Sequence, residues 1–396
     1  MSLTDFRYSF HKNLLTKKYL VPTRVVCADR VKNSEYLTDD TYRQPVHRNG
    51  VKNCIIEKDG YIVLDFGSEL QGGIEINVYS VDDGSCETCS NGKLRIVFGE
   101  SVSEALSDIG DGKGGVNDHS TRDMTVHTTA LSNMRYGDTG FRFVRIIAVD
   151  SNVHIAGIKG VLEYRDIPYA GTFRCSDDRV NKIFDTAVYT AHLNMNEYMW
   201  DGIKRDRLVW IGDFHPEMST VSAIFDYDKC VENTLDFARD NYAIDDNNSW
   251  MIFASYSAWW IIAHRDWYMQ NGRLDYLLEQ KEYMYALAER FTDSVLPDGT
   301  LNFGTSHYFV DWSSCDTEWM EAGFRGCIKL GLTAASEIFG IYGDDAMKKR
   351  CLETASYLGK KKAPYEGNRQ VCAMTVLSVL YDDTSLTDIL CKNLPQ

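Results

Sequence analysis

Asp201-Gly202-Ile203-Lys204-Arg205-Asp206-Arg207-Leu208-Val209-Trp210-Ile211-Gly212-Asp213-Phe214-His215-Pro216-Glu217 is the stretch on which the reading of this chain turns. Acidic and basic residues surround one Trp, and two glycines and a proline argue against a long helix. A salt-bridged surface turn accounts for that pattern. A second reading competes with it. Leu208-Val209-Trp210-Ile211 is apolar enough to be drawn inward, which carries Asp206 and Asp213 into a partly buried place. Buried carboxylates need partners, and burial is what lifts a carboxyl pKa into the range useful for proton transfer.

Upstream of this run the chain reads as β. Tyr61 to Gly67 is a short apolar run ended by Gly, and Ile74-Glu75-Ile76-Asn77-Val78-Tyr79 alternates strictly, as a half-buried strand does. Leu94–Glu100, Asp123–Thr128, Phe141–Val149 and His154–Ile158 complete the set, with Ser101–Ser120 as a long Gly/Asp/Ser loop. Short alternating strands divided by Gly, Asp and Ser turns indicate a β-sandwich over residues 1–168.

Downstream, from residue 169 to residue 396, the chain reads as helix after helix. Ser176 is a suitable N-cap for a helix carrying Val180, Ile183, Phe184, Ala187 and Ala191, apolar positions at three- and four-residue spacing. Further helices are expected over Val231–Tyr242, Ser255–Met269, Leu274–Val295, Glu318–Phe339, Asp345–Leu358 and Val371–Tyr381. Their connections hold Trp, Asp, His and Gly, and in an array of this kind clustered loops build the site. The fold class is therefore multidomain, β then α.

Composition narrows the function. A chain of 396 residues exceeds one ordinary domain of ~100–200 residues. With 42 Lys+Arg against 57 Asp+Glu the net charge is −15, a field that repels phosphate backbones and anionic membranes, so neither is an expected partner. Eight Trp and 23 Tyr supply the flat faces that sugar clefts use, although cores use them too. Eleven scattered cysteines do not form a disulfide framework and suit a reducing compartment; with no signal peptide visible, a cytoplasmic location is expected. Cys86 and Cys89 stand as a lone CxxC, and His215 and His307 have no second His at i+4, so no metal and no cofactor is expected. Asp226, Asp228, Asp240, Asp245 and Asp246 read as a solvated acidic stretch, with calcium as the alternative.

The 201–213 run resembles the signature of bacterial α-L-rhamnosidases (glycoside hydrolase family 78), Asp-Cys-Pro-x-Arg-Glu-Arg-x-Gly-Trp-x-Gly-Asp. Asp201, Arg205, Arg207, Trp210, Gly212 and Asp213 match in register. Leu64-Asp65-Phe66-Gly67 and Phe98-Gly99-Glu100 are similar to the sandwich domain that precedes the family's catalytic domain, and Gly171–Asp177 resembles the start of its helical domain. Ser255–Trp260 with His264–Tyr268 looks like a sugar-site helix, and Phe309-Val310-Asp311-Trp312 like the later Asp-Trp loop.

The resemblance implies an (α/α)6 toroid and an inverting hydrolase that removes terminal α-L-rhamnose. It places the general acid on Asp206, where the family has Glu, with the carboxyl pKa raised by Trp210 and neighbouring carboxylates. Asp201 and Asp213 would bind sugar hydroxyls, Arg205 would steady these charges, and Trp210, Trp260 and Trp312 would stack on the sugar. His307 and Asp311 complete the implied substrate contacts.

Besides Asp206 for Glu, the sequence departs from the family in three ways. Cys-Pro is Gly202-Ile203, the Gly before Trp is Val209, and no Thr-Thr-x-Trp-Glu, the setting of the family's base, occurs between Trp312 and Gln396. The toroid is therefore expected to be incomplete, with Glu318 or Glu321 the first carboxylates to test as a substitute base. An apolar flank at Val371, Met374, Val376, Leu377, Val379 and Leu380 would favour self-association through the C-terminal helices. A carbohydrate-binding or vestigial protein without turnover is the alternative, and another toroid glycosidase, or a hydrolase acting on uronic acids, a third.

Overall fold

A computed structural model describes residues 15–39, 52–82, 91–112, 120–242, 250–304 and 308–381. Cys86, Cys89, Asp245, Asp246 and His307 lie outside the described residues. The chain divides into two compact units, Met1–Ile167 with Asp185–Leu208, and Pro168–Phe184 with Val209–Gln396.

The first unit is built on strands β1 (Leu15–Leu20), β2 (Arg24–Lys32), β3 (Cys54–Asp82), β4 (Asn91–Gly99), β5 (Asp123–Thr129), β6 (Ser132–Ala148) and β7 (Asn152–Arg165). They form one seven-stranded sheet in the order β1-β7-β3-β6-β4-β5, with β2 paired to β3. Every pairing is antiparallel. The sheet folds back on itself: Ile155 of β7 pairs with Cys54 at the start of β3 and with Val78 near its end. Separate sheets were the expectation for a sandwich. Here the hydrogen bonding is continuous, because β3 and β6 are long enough to run through both halves.

Gly67, read as the end of a strand, and Gly72 bend β3 instead of breaking it. Its pairing with β6 shifts register between Asp65 and Leu70 and between Gly72 and Ile74. Gly67 (φ 85°) and Gly72 (φ 139°) take backbone conformations that side chains oppose. The alternation at Ile74, Ile76 and Val78 does face the core, which these residues share with Ile62, Leu64, Leu94, Ile96, Val144 and Ile146. Each such side chain, fully buried, contributes about 1.5–3 kcal/mol. The 101–120 loop contains a short helix, α1 (Val102–Leu106), whose first turn is capped by Ser101 Oγ accepting from Glu104 N.

The helices are α2 (Asp178–Asn194), α3 (Phe214–Phe225), α4 (Lys229–Asn241), α5 (Ala254–Asn271), α6 (Leu274–Glu279), α7 (Lys281–Asp293), α8 (Met320–Tyr342), α9 (Asp345–Tyr357) and α10 (Arg369–Leu377). Residues 185–208, read from sequence as part of the helical region, belong with the strands. Polar contacts hold them there. Tyr189 Oη donates to Glu69 O at 2.5 Å, His192 Nε2 meets Arg165 O at 2.6 Å, and Arg165 Nη1 donates to Asn196 O at 3.0 Å.

Two helices differ from the sequence expectation. α3 was not expected, yet Pro216 falls in its first turn, where backbone N–H groups have no intrahelical acceptor and none is lost. The helix expected over 274–295 is broken at Gln280, whose buried amide accepts from Arg239 Nη1 (2.7 Å) and donates to Asp236 Oδ1 (3.0 Å). Within the acidic stretch, Asp228 caps α4 through Cys230 N, and Asp240 accepts from Arg239 Nε. No group of three His, Cys, Asp or Glu side chains that could hold a metal occurs among the described residues. Of the apolar flank at the end of α10, Leu377 and Val379 are exposed, while Val371, Met374 and Leu380 are buried. No described helix is long and apolar enough to cross a membrane.

Candidate active site

The candidate residues fall in two groups, one in each unit. The first is the loop from Asp201 to Leu208. Its ends are tied by Asp201 N donating to Leu208 O (3.1 Å), and by Leu208 N donating to Asp201 Oδ1 (3.2 Å). Asp206 (φ 66°) and Arg207 (φ 49°) are consecutive left-handed residues. For non-glycine residues that conformation costs on the order of 1–3 kcal/mol each and persists only where surrounding contacts impose it.

Those contacts are visible. Ile203 is buried in the sheet's core, so close to Gly140 that a Cβ there would lie 2.6 Å from Ile203 Cγ1. Lys204 Nζ is 2.5 Å from Glu104 Oε1. Arg207 donates to Asp138 O (2.5 Å) and Oδ1 (3.2 Å), with its guanidinium 4.3 Å from the Trp200 ring centroid.

Between these anchors Arg205 and Asp206 are exposed, with Arg205 Nε 3.9 Å from Asp206 Oδ1. The carboxyl whose pKa is raised is Asp201. Burial drives it up, the Leu208 N–H opposes, and the negative charge of Asp206 adds to the rise.

The second group lies where the chain after Trp210 meets the start of α5. Asp213 N donates to Trp210 O at 2.9 Å, closing the turn that leads into α3. The ring of Tyr256 rests against Gly212. Its hydroxyl pKa is pushed up to about 12, first by burial and then by the charges of Asp213 and Asp311. Tyr256 thus brings together two residues singled out from the sequence.

Asp311 is held on both oxygens, Oδ1 accepting from Trp312 N (2.7 Å) and Oδ2 from Gln370 Nε2 of α10 (2.6 Å). Aromatic rings line the approach. Phe253 stacks on Phe309 at 4.3 Å, Phe309 meets Trp312 edge-on at 5.3 Å, and Trp312 is 80% exposed. Trp210 is half-buried.

Trp260 requires a correction. It is fully buried on α5, its Nε1 donates to Leu235 O at 3.0 Å, and its ring packs 3.9 Å from His264. It is a core residue with no face open to a sugar. His215 is engaged by Asp266 at 2.6 Å and lies beside Trp259. Glu321 is gripped by Arg325 through two bonds of 2.8 and 2.7 Å, whereas Glu318 is exposed.

The sequence assigned no individual role to three residues of this geometry: Tyr256, Gln370 and Lys204. Gly212 was the one available signal for Tyr256, since a glycine outside a positive-φ turn marks close approach, but it does not name what approaches. Gln370 and Lys204 carried no signal, because their partners lie far off in sequence.

Residues 168–318 match the family model of the bacterial α-L-rhamnosidase six-hairpin glycosidase domain. An α-L-rhamnosidase of Formosa agariphila is 25% identical over 182 residues, which is 45% of this chain and 18% of that protein. The chain thus spans less than a fifth of that relative. A rhamnosidase from Klebsiella oxytoca with rhamnose bound superposes with a TM-score of 0.74 at 17% identity, covering 97% of this chain and 80% of that one. The α-L-rhamnosidase from Dictyoglumus thermophilum gives 0.67 at 17% identity, covering 98% of this chain and 42% of its own. The fold, strand-rich and then helical, is shared with these proteins.

Proposed function

We propose that this chain is a glycoside hydrolase that removes terminal α-L-rhamnose from glycosides or polysaccharides. The observation that carries the reading is Tyr256, set in the fields of Asp213 and Asp311 and joined through the Phe309 ring to an exposed Trp312, inside the stretch that matches the glycosidase domain. Carboxylates and a phenol that accept and donate to ring hydroxyls, next to an aromatic wall, suit a sugar whose one face carries a methyl group.

In this reading Asp206 protonates the leaving oxygen, and a second carboxylate, ~6.5–9.5 Å away, activates water on the opposite face, which inverts the anomeric centre. Asp201, its own carboxyl raised chiefly by burial, lies within the field of Asp206. Asp213, Asp311 and Trp312 are read as the sugar contacts, with Trp210 in the same unit, and Arg205 steadies the carboxyls of the 201–208 loop. For the base, Glu321 is committed to Arg325, so Glu318 is the better of the two downstream carboxylates to test. The helices α3 to α10 are read as part of an (α/α)6 toroid and the folded sheet as a sandwich.

One observation favours a second reading. Asp206 is a methylene shorter than the Glu of the family signature, and a misplacement of about 1 Å can cost ~100-fold in rate. A rhamnose-binding protein without turnover would keep the second group of residues and lose the first. Binding of L-rhamnose and release of 4-nitrophenol from 4-nitrophenyl α-L-rhamnoside, measured on the same preparation, separate the two. Binding with release supports the hydrolase. Binding without release supports the second reading, and neither one overturns both.

A further inference from the structure

We propose that Lys204 is a positioning residue: its ion pair with Glu104 fixes the 201–208 loop, and with it the carboxyls of Asp201 and Asp206, to the strand-rich unit. The inference rests on the hydrolase reading only for what those carboxyls do; the anchoring itself does not need it.

Lys204 directly precedes the exposed Arg205 and Asp206, yet its side chain is 2% exposed. An ammonium is buried only against a fixed opposite charge, and losing that partner leaves an uncompensated charge in a dry place. Glu104 is such a partner. Its side chain is 5% exposed, its Oε2 accepts from Glu100 N at 2.8 Å, and Arg122, fully buried, donates through Nη1 to Glu104 O at 3.3 Å. The counter-ion is itself held by backbone and by a buried guanidinium, so it cannot follow the loop.

The anchors then alternate with the working positions. Ile203 is locked into the core, Lys204 into the ion pair, and Arg207 onto Asp138. Only Arg205 and Asp206 between them stand exposed. The left-handed backbone at Asp206 and Arg207 is the strain that such fixation sustains. A turn secured at three of five consecutive residues holds one geometry, which a proton-transferring carboxyl requires. Lys204 touches neither carboxyl in this scheme and acts through the backbone it pins.

The test is Lys204→Met, which keeps the length of the stem and removes the charge. Hydrogen exchange of the Leu208 amide, which donates to Asp201, is read without any sugar, alongside kcat and KM for 4-nitrophenyl α-L-rhamnoside. The expected result is exchange at least ~10-fold faster at Leu208 and kcat lower by ~10–100-fold, with KM little changed. Ile96→Val, a core change in the same unit, serves as a control that lowers stability and leaves kcat alone. Where Lys204→Met does not fold, Glu104→Gln is read in the same way.

Unchanged Leu208 exchange, or kcat retained within about twofold in an active protein, overturns the proposal. Faster exchange in a chain whose wild type binds no rhamnose and releases no nitrophenol leaves the anchor standing and removes the hydrolase reading instead.

Discussion

Tyr256 occupies the space in which residue 212 would carry a side chain: a Cβ built on Gly212 would lie 2.1 Å from Tyr256 Cε1 and 2.6 Å from Cζ. The glycine in front of Asp213 is thus explained by a ring on a helix that begins some forty residues later in the chain. Any side chain at 212 must displace that ring from the fields of Asp213 and Asp311. Gly212→Ala is expected to weaken L-rhamnose binding by at least ~10-fold, since a shift of about 1 Å in a positioning group is that costly. Isothermal titration of L-rhamnose checks this, and an unchanged affinity would show that Tyr256 takes no part in the sugar site.

Two tryptophans that the sequence could not tell apart should separate cleanly. Trp312→Ala removes an exposed face and is expected to reduce rhamnose affinity while the melting temperature stays put. Trp260→Phe removes the indole's hydrogen bond to Leu235 O and part of a fully buried ring, the hydrogen bond alone contributing about 0.5–1.5 kcal/mol. It should lower the denaturation midpoint without altering affinity. The opposite assignment of effects would restore Trp260 to the site.

How far the sequence carried the reading follows from the range of its signals. Alternation at Ile74–Tyr79 and the three- and four-residue spacing from Val180 to Ala191 are local, and both gave the element type that the structure holds. What failed was long-range. Nothing near Gly67 reveals that β3 bends and continues, because its partners on β6 lie more than sixty residues away. Lys204 reads as one more surface charge until Glu104, one hundred residues earlier, is placed beside it. Trp260 and Trp312 are the same residue type in similar aromatic company, and only burial distinguishes them. The signature from Asp201 to Asp213 reads as one segment, and nothing in it shows that its first part belongs with the strands.

Glu69 gives the first unit a pH dependence of definite sign. Its carboxyl is raised from an ordinary 4.5 to about 8, by burial first, then by the charge of Glu100; Lys204 opposes, Glu104 adds, and Arg142 opposes. The folded chain therefore keeps a proton that the unfolded chain has released. Its stabilising contribution is full below the unfolded value and is lost as pH rises towards about 8. Glu69→Gln cannot titrate, so it should gain on the wild type across that interval and melt at the higher temperature at about pH 9. Parallel melting curves from about pH 5 to pH 9 for the two proteins would remove the raised carboxyl from the account.

The central claim is that Asp206 delivers the proton to the leaving oxygen of a rhamnoside. The most direct measurement is the rate of L-rhamnose release from an alkyl α-L-rhamnoside, whose poor leaving group depends on that proton, by wild type and by Asp206→Asn. The account predicts steady release by the wild type and a fall of ~100- to 10,000-fold in the variant, with L-rhamnose affinity retained. Release by Asp206→Asn at the wild-type rate would contradict it, and would move the acid to another carboxyl, with Asp201 the first in line.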